Sequence, residues 1–196
     1  TERNARIEKV LSLRQNDLTV VLENVFDPHN ISAVMRTCDA VGVKEIYVLT
    51  TKIPLHKKWG VRSSSSAAKW LTIHQYEDAA ACFASIRKNY SVILTTHLSS
   101  DAVSLYSTDL TSSTALVFGN EHDGVSEEIR AMADGNLIIP QMGMIKSLNI
   151  SVACAVSLYE AFRQKMNAGH YLSQKLSAKE HAFLSNEWSI AKKQKI

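Results

Sequence analysis

The sequence predicts an α/β fold: a mostly parallel, Rossmann-like sheet with helices on both faces. Short runs of aliphatic and β-branched residues alternate with longer stretches of helical period, the pattern of strands joined by crossover helices. Two of the runs, Ala115 to Phe118 and Leu137 to Ile139, break into Gly119-Asn120-Glu121 and into Pro140 and Gly143. Ligands of open α/β sheets bind in the crevice beyond the carboxyl ends of the strands, so function is to be sought there. At 196 residues, 45% of them hydrophobic, the chain has the material for one well-buried core.

Glu2 to Arg14 opens the chain as an amphipathic helix, with Ile7, Val10 and Leu11 on one face and Arg3, Arg6, Lys9 and Arg14 on the other. Leu18 to Val25 reads as a strand. Asp27 is a helix cap and Pro28 suits the first turn of a helix from about His29 to Val41, which stops at Gly42. Glu45 to Thr50 completes a βαβ unit. Lys52 to Lys69 then interrupts the pattern with a proline, a glycine and the run Ser63 to Ser66, the composition of a mobile loop. A short strand at Trp70 to His74, a helix at Glu77 to Asn89 and a strand at Ser91 to Thr96 follow, and His97 to Thr114 is polar and irregular. After the strand Ala115 to Phe118 come a helix at Val125 to Ala133 and the strand Leu137 to Ile139. The long helix Asn149 to Met166 carries Val152, Val156, Tyr159 and Phe162 at core spacing, and a last helix falls within Lys179 to Lys192.

Charge is unevenly placed. From Arg163 onward seven Lys/Arg stand against two Asp/Glu, and Lys52, Lys57, Lys58, Arg62 and Lys69 form a second basic block. Localised basic segments on a near-neutral body suit a polyanion such as RNA, although a solvated tail and loop would look the same. Arg6, Arg14, Arg62 and Lys69 are the candidate phosphate contacts. The three cysteines, Cys38, Cys82 and Cys154, are odd in number and form no CxxC, which argues for free thiols in a reducing compartment. No apolar run approaches the roughly 18 residues of a membrane span and no signal-peptide pattern is present, so a cytoplasmic protein is expected.

Generic catalytic templates are missing: there is no Walker loop, GxGxxG or GxSxG, and the seven histidines show no metal-ligand spacing. What remains is a set of polar residues at strand ends and helix starts: Asn30, Arg36, His97, Asn120, Glu121, Ser147 and Asn149. Each taken singly has an ordinary structural role open to it, as a cap, a surface ion pair or a loop acid.

Their joint arrangement resembles a known family. NISAVMR with Asn30 and Arg36, FGNEHDG from Phe118 to Gly124, and IIPQMGMIKSLNISVA from Ile138 to Ala153 are similar to the three motifs of the TrmH family. These are SPOUT-class RNA ribose 2′-O-methyltransferases that use S-adenosyl-L-methionine. The flanks, RQNDLTVVLENV and NAGHYL, resemble those members that methylate guanosine 18 in the tRNA D-loop, with ribosomal RNA or another tRNA position as the alternative substrate and a silent RNA-binding module as the rival class. The resemblance implies a SPOUT domain over residues 18–166 with a C-terminal trefoil knot, an exception to unknotted chains, and helical extensions at 1–17 and 167–196. It also implies a homodimer with the active site completed by the partner, no metal, and tRNA as the macromolecular partner. By residue, it implies cofactor contacts at Thr96, His97, Gly119, Asn120, Ile139, Met144 and Leu148, and catalytic roles for Arg36, Asn30, Glu121, Ser147 and Asn149. A guanidinium stays protonated, so Arg36 is expected to hold a substrate phosphate and position the hydroxyl. Gln141 departs from the family, which has Met after the Ile-Pro pair.

Overall fold

A computed structural model describes residues 1–56 and 67–190 of the chain. Its helices are α1 (Glu2–Ser12), α2 (Pro28–Ala40), α3 (Ala79–Ile86), α4 (Glu127–Met132), α5 (Ile150–Asn167) and α6 (Ala178–Ile190). Its strands are β1 (Leu18–Glu23), β2 (Glu45–Leu49), β3 (Thr72–Tyr76), β4 (Val92–Thr96), β5 (Val103–Ser104), β6 (Thr114–Phe118) and β7 (Gly135–Ile138). The strands form one seven-stranded sheet in the order β3-β2-β1-β6-β4-β7-β5, and every pairing is parallel.

Strand alternation divides the core in two. Val20 and Leu22, Ile46 and Val48, and Leu116 and Phe118 face the layer of α2 and α5, where Ile31, Val34, Met35, Cys154, Leu158 and Ala161 cover them. Val21, Tyr47, Leu49 and Val117 face the opposite layer, where Phe83, Ile86 and Ile129 of α3 and α4 close over them. Both faces of the sheet are thus buried, as continuous apolar strands demand. α1 and α6 pair outside this sandwich around Ile7, Leu11, Leu176, Leu184 and Trp188. All three cysteines are buried and free.

Several expectations shift. The third strand starts at Thr72 because Trp70 ends a 3-10 turn, Ala67–Trp70, whose last carbonyl accepts from Arg14 at 3.1 Å. α3 begins two residues late because Asp78 caps it, accepting from the Ala81 amide at 2.7 Å. The irregular stretch from His97 contains the two-residue β5. On α5 the residues facing the sheet are Ile150, Cys154, Leu158 and Ala161, while Val152 and Tyr159 of the expected core stripe are 47% and 52% exposed. The helix carries two apolar stripes, and periodicity alone does not say which one meets the sheet. Residues 57–66 of the expected mobile loop, Arg62 among them, lie outside the described residues.

Candidate active site

The loops that leave β4, β6 and β7 at their carboxyl ends meet in a cleft of about 450 Å³. Thr96 and His97 form one wall, the segment Phe118 to Gly124 a second, and Lys146 to Ile150 the third. A cleft of about 520 Å³ between α1, α6 and Trp70 lies at the other edge of the sheet, where the strands begin. Position favours the first, since open α/β sheets place ligands beyond the carboxyl ends of their strands.

The wall after β6 is shaped by its own backbone. A Cβ on Gly119 would stand 1.9 Å from the Gly124 carbonyl carbon, so only glycine fits there. The Asn120 side chain accepts from the His122 and Asp123 amides at 2.8 and 2.7 Å, and the Asn120 carbonyl accepts from Gly124 at 3.2 Å. Glu23, buried at the end of β1, accepts from the Ser126 amide at 2.9 Å and anchors the far end of the loop. Asn120 therefore builds the wall with its side chain.

The wall after β4 depends on a residue that sequence reasoning missed. Asn136 on β7 accepts from the Thr95 hydroxyl at 3.0 Å and the His97 amide at 2.8 Å, and donates to the His97 carbonyl at 2.8 Å and Ser99 Oγ at 2.7 Å. One side chain thus fixes both backbone groups of His97. Asn136 immediately precedes the apolar run Leu137 to Ile139 that the sequence marks as the strand, and no motif singles it out. Burial first, and then the Arg130 cation, hold the His97 imidazole below its usual range, so it faces the cleft as a neutral ring.

The predicted catalytic residues converge in part. Asn30 Nδ2 donates to Glu121 Oε1 at 2.7 Å, and Asn149 Nδ2 donates to Asn30 Oδ1 at 3.2 Å. Asn149 Oδ1 in turn accepts from the Ser151 amide at 2.8 Å and so caps α5. Asn149 therefore both caps α5 and lines the cleft. Ser147 is exposed on the cleft wall. Arg36 stands apart: it is exposed on α2, does not line the cleft, and makes no hydrogen bond or ion pair among the described residues.

Of the expected cofactor contacts, Thr96, His97, Gly119, Asn120 and Leu148 line the cleft. Ile139 packs against the core instead, and Met144 is 98% exposed on the loop after β7. Among the expected RNA contacts, Arg6 and Lys69 are exposed. Arg14 is a correction: it is 1% exposed, paired with Asp39, bonded to the Val43 carbonyl at 2.8 Å and held over the Trp188 ring. The chain turns inward after α1, which carries this arginine into the junction of α1, α2 and α6 and leaves it no face toward a phosphate. Among the described residues no group of three or more His, Cys, Asp or Glu is placed to hold a metal ion.

This fold, with a polar relay beside a cleft at the ends of β4, β6 and β7, defines a class. The chain belongs to the SpoU rRNA Methylase family, which matches residues 17–159. It is similar to the tRNA (guanosine(18)-2′-O)-methyltransferase of Thermus thermophilus, with 42% identity over 188 residues covering 95% of each chain. In structure it resembles the A. aeolicus TrmH/SpoU tRNA modifying enzyme, at a TM-score of 0.91 and 36% identity, covering 99% of this chain and 98% of that one. It also resembles the SpoU methyltransferase AviRb of Streptomyces viridochromogenes in complex with AdoMet, at a TM-score of 0.71 and 26% identity, covering 80% of this chain and 64% of that one.

Proposed function

We propose that this chain transfers a methyl group from S-adenosyl-L-methionine to the ribose 2′-hydroxyl of guanosine 18 in the tRNA D-loop. The observation that carries the reading is the Glu121–Asn30–Asn149 relay, which joins all three motif segments at the rim of the cleft. The 95% coverage of a relative of that name supports the choice of substrate.

The residues present fit the cofactor. The cleft lies within the roughly 300–1,000 Å³ of small-molecule sites and is walled largely by loop backbone. At Gly119 a side chain would collide with the opposite strand of the loop, so main-chain groups are left to meet a ligand. Thr96, His97, Gly119 and Leu148 would hold the adenosine part. Bound there, the cofactor supplies a sulfonium methyl open to in-line attack by a hydroxyl, chemistry that needs no metal. The protein supplies geometry, the larger part of such a reaction. Glu121 and Asn30 fix one another and orient the ribose, Asn149 ties them to the start of α5, and Ser147 and Lys146 line the opposite wall. Arg36 holds a substrate phosphate with its planar, permanently charged fork.

We also read the protein as a homodimer acting in the cytoplasm. Val152 and Tyr159 leave an apolar stripe open on α5, and Met142 and Met144 are 96% and 98% exposed on the loop after β7. Exposed apolar groups of this size call for a cover, and in this reading a second copy supplies both that cover and an Arg36 for the first copy's cleft. The segment after β7 is read as threaded through the loops after β4 and β6. No helix among the described residues is long and apolar enough to cross a membrane.

The test is incubation with labelled S-adenosyl-L-methionine and an unmodified tRNA transcript, followed by mapping of the methyl group. A 2′-O-methyl on guanosine 18, lost in Arg36→Ala, is the expected result. Incorporation only into ribosomal RNA would keep the chemistry and overturn the substrate.

A further inference from the structure

Beside the relay the chain presents an aromatic ring to solvent on unusually firm backbone. Asn24, just past β1, takes a left-handed conformation at φ 49, the one described non-glycine residue that does so. Asparagine tolerates that region better than most residues. Its side chain holds the turn, donating to Thr51 Oγ1 at 3.0 Å and accepting from the Lys52 amide at 2.9 Å. The next carbonyl, that of Val25, meets the His56 ring at 2.8 Å. This turn sends Val25 inward, where it is 2% exposed, and Phe26 outward, where it is 52% exposed. The Phe26 amide donates to Glu121 Oε2 at 3.4 Å, while Glu121 Oε1 is the atom bound to Asn30. The His122 ring meets Phe26 edge-on, with centroids 6.0 Å apart and planes at 61°.

We propose that Phe26, backed by His122, is the stacking platform for the base of the nucleotide that is methylated. This rests on the reading of the chain as an RNA 2′-O-methyltransferase and adds how the nucleotide is seized. The ribose and its base are one bond apart. A ribose placed at Asn30 and Glu121 therefore carries its base to within reach of the ring whose backbone Glu121 also holds. Sequence-specific recognition of RNA takes bases splayed out of loops and stacks them on aromatic side chains, so an exposed aromatic face beside the ribose site can replace the stacking such a base loses. A rigid ring does so with little ordering cost, which gives the tethered turn at Asn24 a purpose. Lys52, bonded to that same turn and exposed, stands ready for an adjoining phosphate.

The test uses the full chain and a tRNA transcript carrying 2-aminopurine at position 18, together with the unlabelled transcript. Phe26→Ala lowers kcat/KM for the unlabelled tRNA by about tenfold to a hundredfold, the effect of removing one stacking partner. The KM for S-adenosyl-L-methionine stays unchanged, and Phe26→Trp restores activity. Binding quenches the 2-aminopurine in the wild-type protein and in Phe26→Trp, and much less in Phe26→Ala. Undiminished kcat/KM or an undiminished quench in Phe26→Ala overturns the platform while leaving methyl transfer standing. A loss that appears together with dissociation into monomers assigns Phe26 to a subunit contact and also overturns it. A wild-type protein that neither methylates nor quenches overturns the substrate reading itself.

Discussion

Asn30 and Glu121, 91 residues apart in sequence, share a hydrogen bond of 2.7 Å in which the Asn30 amide donates to the Glu121 carboxylate. The bond fixes which way the Asn30 amide faces, because its oxygen must then accept from Asn149.

Reversing the polarity of that pair gives the first prediction. Asn30→Asp sets a second carboxylate against the first, and like charges so close raise the proton affinity of one of them. Activity at neutral pH falls by about tenfold or more and recovers partly as the pH is lowered and a proton bridges the two groups. A pH–rate profile of the variant parallel to that of the wild type would exclude this account of the relay.

Asn136 carries the second prediction. Asn136→Ala removes four hydrogen bonds and frees the backbone of His97 and the hydroxyl of Ser99. At a net value of about 1 kcal/mol per bond, part of it regained from water, the loss is about 2 kcal/mol. Cofactor affinity, read by calorimetry, weakens at least tenfold because the wall after β4 loses its anchor. Unchanged affinity at reduced stability would confine Asn136 to folding.

These two residues mark how far the sequence could be read. Asn30, Glu121 and Asn149 stand in the three segments that resemble the family's motifs, and that resemblance, more than the order of elements, grouped them. The parallel sheet followed from apolar runs that alternate with helices. Asn136 lies in no motif, and its role depends on β7 pairing with β4, a long-range contact that local pattern does not encode. Arg14 was misread for a related reason. An arginine at the end of an amphipathic helix looks solvated until α6, far along the chain, packs over it with Trp188.

Gln141 makes the third prediction. Its Nε2 donates to the Lys146 carbonyl at a long 3.5 Å, and its Oε1 is buried without a partner. A buried unsatisfied acceptor costs about 1–3 kcal/mol, and methionine has nearly the same volume without that acceptor. Gln141→Met therefore raises the melting temperature of the cofactor-free protein by about 2–4 °C per kcal/mol recovered. A lower melting temperature would mean that Gln141 is the better residue for this loop.

Glu45 gives a pH dependence. It is buried, which on its own raises the carboxyl, but bonds from the His74 ring and the Tyr90 hydroxyl, with the Lys44 cation, outweigh burial and lower it from 4.5 to about 2. A carboxyl lowered by folding stabilises the protein above its unfolded value and loses that contribution as the pH falls through the folded one. Stability therefore drops between about pH 4.5 and pH 2, and Glu45→Gln flattens this part of the curve. Urea unfolding of both proteins at pH 6 and pH 3 checks it; equal losses would assign the acid sensitivity to other carboxylates.

Arg36 is exposed on α2 and does not line the cleft of its own chain. It lies six residues beyond Asn30 on α2, about 120° round the helix axis, and so points away from the relay of its own chain. If it serves the partner's cleft, two inactive variants complement one another. Arg36→Ala keeps an intact cleft, and Gly119→Val, which forces a side chain into the backbone of its own loop, keeps an intact Arg36. Mixed in equal amounts and allowed to exchange subunits, half of the dimers carry one of each. Each mixed dimer then holds one complete site of two, so the mixture regains about a quarter of wild-type activity, as expected for a two-fold symmetric pair. A mixture as inactive as its components would place Arg36 in the cleft of its own chain. In the same assay Arg36→Lys stays far below wild type, because an ammonium lacks the planar fork that holds two phosphate oxygens at once.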